Sequence, residues 1–243
     1  MKPYYEADGI TIYHGDSFDI LHDLTGVGAV VTDPPYSSGG AFRGDRAQQV
    51  GTKYVQTGTQ AYRPDFAGDN RDQRSFLAWC SLWLNAARNA STPGAALACF
   101  IDWRQLPVMT DAVHAGGWTW RGIAPWSKKF GRPNPGGFSS ACEFVVWGSN
   151  GPALDREDYP PGIFECSVDN TRDHIAQKPL KVMQWVTRIA QPDSLVLDPF
   201  MGSGTTLVAA RNLGHRCIGI EVDERYCEIA ANRLAQGVLD LAS

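Results

Sequence analysis

Two short stretches, far apart in the chain, carry residue types that can do chemistry together. Asp33-Pro34-Pro35-Tyr36 offers a carboxylate, a stiff carbonyl-bearing turn and an aromatic ring in four consecutive residues. Two prolines in succession cannot continue a sheet ladder, so these groups are held where the chain leaves a strand. The second stretch, Asp198-Pro199-Phe200-Met201-Gly202-Ser203-Gly204-Thr205-Thr206, is a glycine-rich turn. Glycines there let the backbone approach a ligand and free amide groups to meet an anion at a helix start. Glu221 follows at roughly twenty residues, the spacing at which an acid accepts the hydroxyls of a ribose. Each stretch alone has an ordinary structural reading, since Asp-Pro-Pro ends many strands and Gly-x-Gly is common in turns. A dinucleotide site would need a third glycine where Leu207 stands, and Asp198 beside the turn would repel a pyrophosphate. A carboxylate at that place suits an amino group or a hydroxyl.

The elements that position these groups follow from hydrophobic period. Gly28-Ala29-Val30-Val31-Thr32 is a short apolar run that predicts a buried strand ending at Asp33. Ile10 to His14 alternates as a strand, and Ser17 is placed to cap a helix bearing Phe18, Leu21 and Leu24. A helix over 73–90 presents Phe76, Leu77, Trp79, Cys80, Trp83 and Leu84 as one stripe. Pro93-Gly94 turns into a strand from Ala95 to Ile101, and a helix runs to His114 before Gly116-Gly117. Trp118–Trp126 and Cys142–Gly148 predict an antiparallel hairpin with a long loop over 127–140. Pro179 opens a helix through Ile189, the favoured place for proline. Strands over Ser194–Asp198 and Arg216–Glu221 alternate with helices over Thr205–Leu213 and Glu224–Leu234. The alternation predicts an α/β fold with a largely parallel sheet covered on both faces.

Residues 1–243 are long enough for a single domain with a full core. Two long loops, 37–72 and 127–140, and a short acidic connector over 149–173 interrupt the pattern. No apolar run is long enough to span a bilayer, and the N-terminus lacks an apolar signal segment, so a cytoplasmic protein with no membrane partner is expected. The six cysteines are scattered with no Cys-x-x-Cys pair, which argues against zinc and for reduced thiols. A net charge of −4 does not advertise a nucleic-acid binder. A local basic face on an acidic body remains compatible with one.

Asp33-Pro34-Pro35-Tyr36 together with Asp198-Pro199-Phe200-Met201-Gly202-Ser203-Gly204 resembles the S-adenosylmethionine-dependent DNA amino-methyltransferases. The order of the two motifs matches the permuted β class. His174-Ile175-Ala176-Gln177-Lys178-Pro179-Leu180 is similar to a helix start of that class, and Gly15-Asp16 sits where the class has an acid near the cofactor adenine. The Pro-Pro-Tyr-Ser-Ser-Gly-Gly continuation, Phe100 to Arg104 and Glu143 to Gly148 resemble short phage and prophage members. The resemblance implies a Rossmann-like, seven-stranded, mostly parallel methyltransferase sheet with an antiparallel hairpin and helices on both faces. It implies S-adenosylmethionine as cofactor, double-stranded DNA as partner and an exocyclic amino group as methyl acceptor. A homodimer is compatible with it, because the 149–173 connector is shorter than the recognition insert of many members.

Such an amino nitrogen is a poor nucleophile, because its lone pair is delocalised into the base. The resemblance gives Asp33 and the Pro34 carbonyl as acceptors for its two hydrogens, with Pro35 stiffening the turn and Tyr36 stacking on a base taken out of the duplex. It assigns Asp198 to the methionine amino group, Phe200, Gly202, Ser203, Gly204 and Thr205 to the cofactor turn, and Glu221 to the ribose. Asp16 falls on the adenine side, Gln177 and Lys178 at the methionine end. For DNA, the basic residues Arg43, Arg46, Lys53 and Arg63 are interleaved with aromatics in the 37–72 loop, which is expected to order on DNA. Lys128, Lys129 and Arg132 form a second basic run. A first motif beginning with Asp is the form associated with adenine, so N6 of adenine is the expected acceptor and N4 of cytosine the alternative. RNA or protein-glutamine methyltransferases place the two motifs in the opposite order. A silent nucleic-acid-binding relative would have damaged motifs. A cytosine C5 enzyme needs a Pro-Cys pair, which the chain lacks.

Overall fold

Strand β3 (Val27–Thr32) sets the architecture. Its side chains are buried on both faces, which is why it reads as a continuous apolar run rather than an alternating one. Val30 belongs to one hydrophobic core and Val31 to the other. The computed structural model describes residues 1–36, 71–133, 135–156, 158–167 and 178–241. Strand β8 (Leu195–Asp198) pairs with β3 in parallel, with Val30 opposite Leu197.

From these neighbours the chain departs in opposite directions. Beyond β3, helix α2 (Gln73–Ala90) leads to β4 (Ser91–Ile101) on one side, and β3 and β4 pair in parallel. From β8, helix α5 (Thr205–Asn212) leads to β9 (Arg216–Glu221) on the other side. Diverging connections leave a crevice at the carboxyl ends of the two strands, the usual ligand position in open α/β sheets. Both motifs end there.

The remaining strands extend the sheet on either side. Beyond β9 come β2 (Ile10–His14), parallel, and β1 (Tyr5–Ala7), antiparallel. Beyond β4 come β6 (Ser140–Ser149) and β5 (Thr119–Arg132), each antiparallel to its inner neighbour, and then the two-residue β7 (Phe164–Glu165). Among the described residues the order is β1-β2-β9-β8-β3-β4-β6-β5-β7. The seven expected strands form the body, and β1 and β7 are short additions at its edges. One face carries α1 (Ser17–Leu21), α2 and α3 (Leu106–Ala115), the other α4 (Leu180–Thr187), α5 and α6 (Glu224–Leu241). Trp83 of α2 is fully buried, and truncating such a residue costs about 3–5 kcal/mol.

Several expected boundaries move for identifiable reasons. Helix α1 is capped by Asp16, whose carboxylate accepts the Phe18 N–H at 2.9 Å, while Ser17 is the first helical residue. Strand β4 begins at Ser91 rather than Ala95. The Pro93-Gly94 turn is present as a bulge, with Val27 opposite Ser91, Ala29 opposite Ala96 and Gly94 at φ 81°. The first part of the 127–140 loop is strand. Strand β5 continues to Arg132, because a second bulge absorbs residues between Ser127, opposite Cys142, and Arg132, opposite Ser140. Lys129 takes φ 64° within it. Helix α4 stops at Thr187, short of Ile189, with Pro179 at its cap position. Helix α6 runs past Leu234 to Leu241. Among the described residues no helix is long and apolar enough to cross a membrane, and no group of His, Cys, Asp and Glu is arranged to hold a metal.

Candidate active site

The two motifs meet through one hydrogen bond. Thr32, the last residue of β3, donates its hydroxyl to Asp198 Oδ1 at the end of β8, at 2.7 Å, between residues that are fully buried or nearly so. The Phe200 N–H donates to the same oxygen at 3.0 Å. Burial pushes the Asp198 carboxyl up to about 6, because these neutral donors only partly replace the water it has lost.

The glycine turn follows directly. Gly202 and Gly204 take φ 50° and 79°, conformations in which a side chain is strained. At Gly204 a Cβ would also lie 2.8 Å from that of Ala230 on α6. At Gly202 it would meet nothing within 4 Å, so the backbone there borders open space. Glu221, at the end of β9, accepts from the Gly202 N–H at 3.0 Å and the Asp223 N–H at 2.9 Å. Its carbonyl accepts from Gly15 N–H at 2.9 Å, which brings the Gly15-Asp16 turn to the same edge. Burial raises the Glu221 carboxyl above its ordinary value, with the backbone donors opposing. Arg233 of α6 supports the turn from behind, donating to the Ser203 carbonyl at 2.5 Å and lying 3.3 Å from the Thr205 hydroxyl. Phe200 packs edge-on against Trp83 and tilted against Trp79, with ring centroids 5.1 and 5.2 Å away. Its ring therefore anchors the turn to α2.

Around Asp33 the arrangement is ionic. Tyr36 donates its hydroxyl to Asp33 Oδ1 at 2.5 Å, and Lys178 Nζ donates to Oδ2 at 2.6 Å. Glu143, on β6, stands behind both donors. Its Oε2 lies 3.1 Å from the Tyr36 hydroxyl and 3.2 Å from Lys178 Nζ, and its Oε1 is 2.5 Å from Lys128 Nζ. Lys178 also lies over the rings of Tyr36 and Phe100, at 5.0 and 5.2 Å. Two carboxylates and two ammonium groups thus balance in a mostly dry cluster, where removing one partner costs about 3–5 kcal/mol.

The charges divide unevenly. Burial raises Asp33 above the usual carboxylate range, with Lys178 pulling the other way and Glu143 adding to the rise. Glu143 would also rise by burial, but Lys178 and Lys128 outweigh this and bring it down to about 2. Lys178 would be lowered by burial, yet two carboxylates hold it above its ordinary value. Burial and the adjacent carboxylates put the Tyr36 hydroxyl well above 10, so it stays protonated as a donor.

Not every predicted site residue joins these groups. Asp16 is exposed and spends one carboxylate oxygen on its helix cap. Lys128 is turned inward onto Glu143 by the β5 bulge, a different setting from the phosphate-facing run expected of it. Lys129 pairs with Glu165 at 3.3 Å, both about half exposed or more. Arg132 ends β5. Gln177, Arg43, Arg46, Lys53 and Arg63, with the expectation that the 37–72 loop orders on DNA, lie outside the described residues. Sequence reasoning missed Glu143 as a site residue. Its signal was a carboxylate entering Phe144-Val145-Val146-Trp147, a run otherwise without charge.

With these turns side by side, likeness to known proteins becomes informative. The DNA methylase family model (N6_N4_Mtase) matches residues 27–232, which include both motifs and the strands between them. The chain belongs to this family. Type II methyltransferase M.ScaI of Streptomyces caespitosus is 27% identical over 285 residues, covering 96% of this chain and 84% of the relative. Type II methyltransferase M2.DpnII of Streptococcus pneumoniae is 24% identical, covering 96% and 92%. Among solved structures, the M1.HpyAVI–SAM complex matches with a TM-score of 0.64 at 25% identity, over 93% of this chain and 99% of that one. The cytosine-N4-specific PvuII DNA methyltransferase matches with a TM-score of 0.71 at 19% identity, over 95% and 88%, a likeness of fold. This DNA methylase is thus a DNA amino-methyltransferase, of the family that acts on adenine N6 or cytosine N4.

Proposed function

We propose that the protein methylates the N6 amino group of adenine in double-stranded DNA, with S-adenosylmethionine as donor. The observation that carries this is the junction of β3 and β8, where Thr32 ties the Asp33 turn to the Asp198 turn. The residues on the β8 side fit the cofactor. Open space at Gly202 admits its methionine end, and Glu221 keeps acceptor capacity for ribose hydroxyls beyond its two backbone bonds. Asp198 would face the ammonium and Gly202 to Thr205 the carboxylate end, with Asp16 toward the adenine. When bound, the cofactor supplies an electrophilic methyl group on a sulfonium.

The remaining work belongs to the β3 side. Asp33 accepts one hydrogen of the target amino group and the Pro34 carbonyl the other, which favours a pyramidal nitrogen with its lone pair directed outward. Pro34 and Pro35 hold this pair of acceptors without reorganisation, so the contribution is one of fixed dipoles and position. The Tyr36 ring stacks on the extruded base. Asp33 need not be a strong base, since the amino proton becomes acidic once the methyl has been transferred.

The choice of adenine rests on the carboxylate that begins the first motif. A charge-assisted hydrogen bond is roughly twice as strong as a neutral one, which suits Asp33 to polarising the amine. Nucleoside mass spectrometry of unmethylated DNA incubated with the protein and labelled cofactor tests this. N6-methyladenine is the expected product. N4-methylcytosine alone would move the assignment to the other base and leave amino transfer standing, and no methylated base would overturn both.

A further inference from the structure

Asp33 already accepts on both oxygens. Tyr36 donates to Oδ1 and Lys178 to Oδ2, so an incoming amino group competes with two of the protein's own donors for this carboxylate. Freeing it has a cost, because a mostly buried ammonium or hydroxyl left without an acceptor loses the whole value of its bond. Glu143 Oε2 removes that cost, being within 3.1 and 3.2 Å of the same two donors.

We propose that Glu143 is a positioning residue that acts as an exchange acceptor. When the amino group of the target base takes Asp33, the Tyr36 hydroxyl and the Lys178 ammonium pass to Glu143 Oε2. This rests on the reading above in which Asp33 binds that amino group. Three features suit Glu143 to the task. Lys128 holds its Oε1 at 2.5 Å, which keeps Oε2 directed at Tyr36 and Lys178. With its pKa at about 2, it is ionised, and therefore an acceptor, throughout the neutral range. Lys178 carries three hydrogens and is already shared between the two carboxylates, so its bond changes partner by a small rotation. No charge is created or lost in the exchange.

A double-mutant cycle on the full chain separates this from simple charge balance. Single-turnover methyl transfer to unmethylated DNA is measured for wild type, Glu143→Gln, Tyr36→Phe and the double variant, with cofactor affinity as control. Glu143→Gln is expected to slow transfer about 30-fold with cofactor affinity within about threefold, because one pairwise coupling is worth up to a few kcal/mol. Tyr36→Phe keeps the ring and removes one of the two donors to Asp33. In that background the Glu143→Gln effect should shrink to less than about fivefold. An equal effect in both backgrounds, or a Glu143→Gln rate within about twofold of wild type, overturns the proposal. Should Glu143→Gln fail to melt cooperatively, Lys128→Met is judged by the same criterion, since it releases the anchor of Glu143. A wild-type protein that transfers no methyl to DNA, or an Asp33→Ala protein that transfers normally, sinks the underlying function instead. An active wild type, a dead Asp33→Ala and an additive cycle sink the role of Glu143 alone.

Discussion

Asp33 and Asp198 stand at the ends of neighbouring parallel strands, three positions or fewer from a proline-stiffened turn, yet they are maintained in opposite ways. Asp198 is 2% exposed and held by the hydroxyls of Thr206 and Thr32 and by the Phe200 N–H, all neutral. Asp33 lies in a cluster of formal charges, with an ammonium on one oxygen and a phenol on the other. On the proposed function, the difference lies in what each carboxylate must do. A group that receives a charged ligand can be left without a cation of its own. One that receives a neutral amine needs a cation beside it to stay ionised. Identical residues on adjacent strands thereby stand in different electrostatic settings set by their donors.

The largest expected effect comes from removing Asp33. Asp33→Ala should slow methyl transfer by about a thousandfold or more, the scale of losing a fixed acceptor at the reacting group. Cofactor affinity should change by less than about tenfold, or about 1.4 kcal/mol. Isothermal titration with the cofactor beside a transfer assay measures both, and near wild-type turnover would erase the distinction between the two aspartates.

Asp198→Asn should split binding from stability. The amide keeps the shape but cannot pair with an ammonium, so cofactor affinity should fall about 30-fold, the value of a charge-assisted bond. The protein without cofactor should become more stable at neutral pH. Because the folded-state pKa of about 6 exceeds the ordinary 3.8, ionising Asp198 costs folding energy, present above pH 6 and absent below about pH 4. The linkage is on the order of 3 kcal/mol. Wild-type stability should therefore carry a component that falls as pH rises from about 4 to 6. Urea melts across that range should show this component in wild type and not in Asp198→Asn, and identical pH slopes would refute it.

Thr32→Val gives the smallest effect and probes the link between the two turns. It removes the 2.7 Å donor to Asp198 at nearly constant shape, with an expected loss of about 1–2 kcal/mol at neutral pH. The loss should shrink below about pH 5, where Asp198 is protonated in both proteins. Thermal melts at two pH values measure the difference, and a pH-independent loss would mean that Thr32 contributes packing alone.

Much of this arrangement was legible in the sequence, and the reasons are local. The apolar run of β3 and the prolines after it define where the chain turns, and Gly202 and Gly204 mark a turn that needs positive φ. Their adjacency rests on a strand order that periodicity does not encode. The pairing of β3 with β8 joins residues more than 160 positions apart. The departures from the sequence reading share a cause. Lys128 sits in a basic run whose direction depends on a bulge, and the sequence shows the charges without the register. Glu143 meets Lys178 and Tyr36 only because β6 places it opposite them, so no spacing rule applies. Ser17 and Asp16 both have capping chemistry, and one residue of register decides between them.

The strand order also bears on how the protein is made. Strands β2 and β3 take parallel partners from β9 and β8, which leave the ribosome more than 160 residues later. Until β8 has emerged, β3 has one open edge and the Asp33 turn lacks the Asp198 turn beside it. Long-range parallel pairing of this kind folds slowly and leaves exposed strand edges at risk of association. A ribosome-bound chain stalled before Leu195 would thus hold the α2–β4 layer without its other half, and methyltransfer competence would come only once β8 and β9 have emerged.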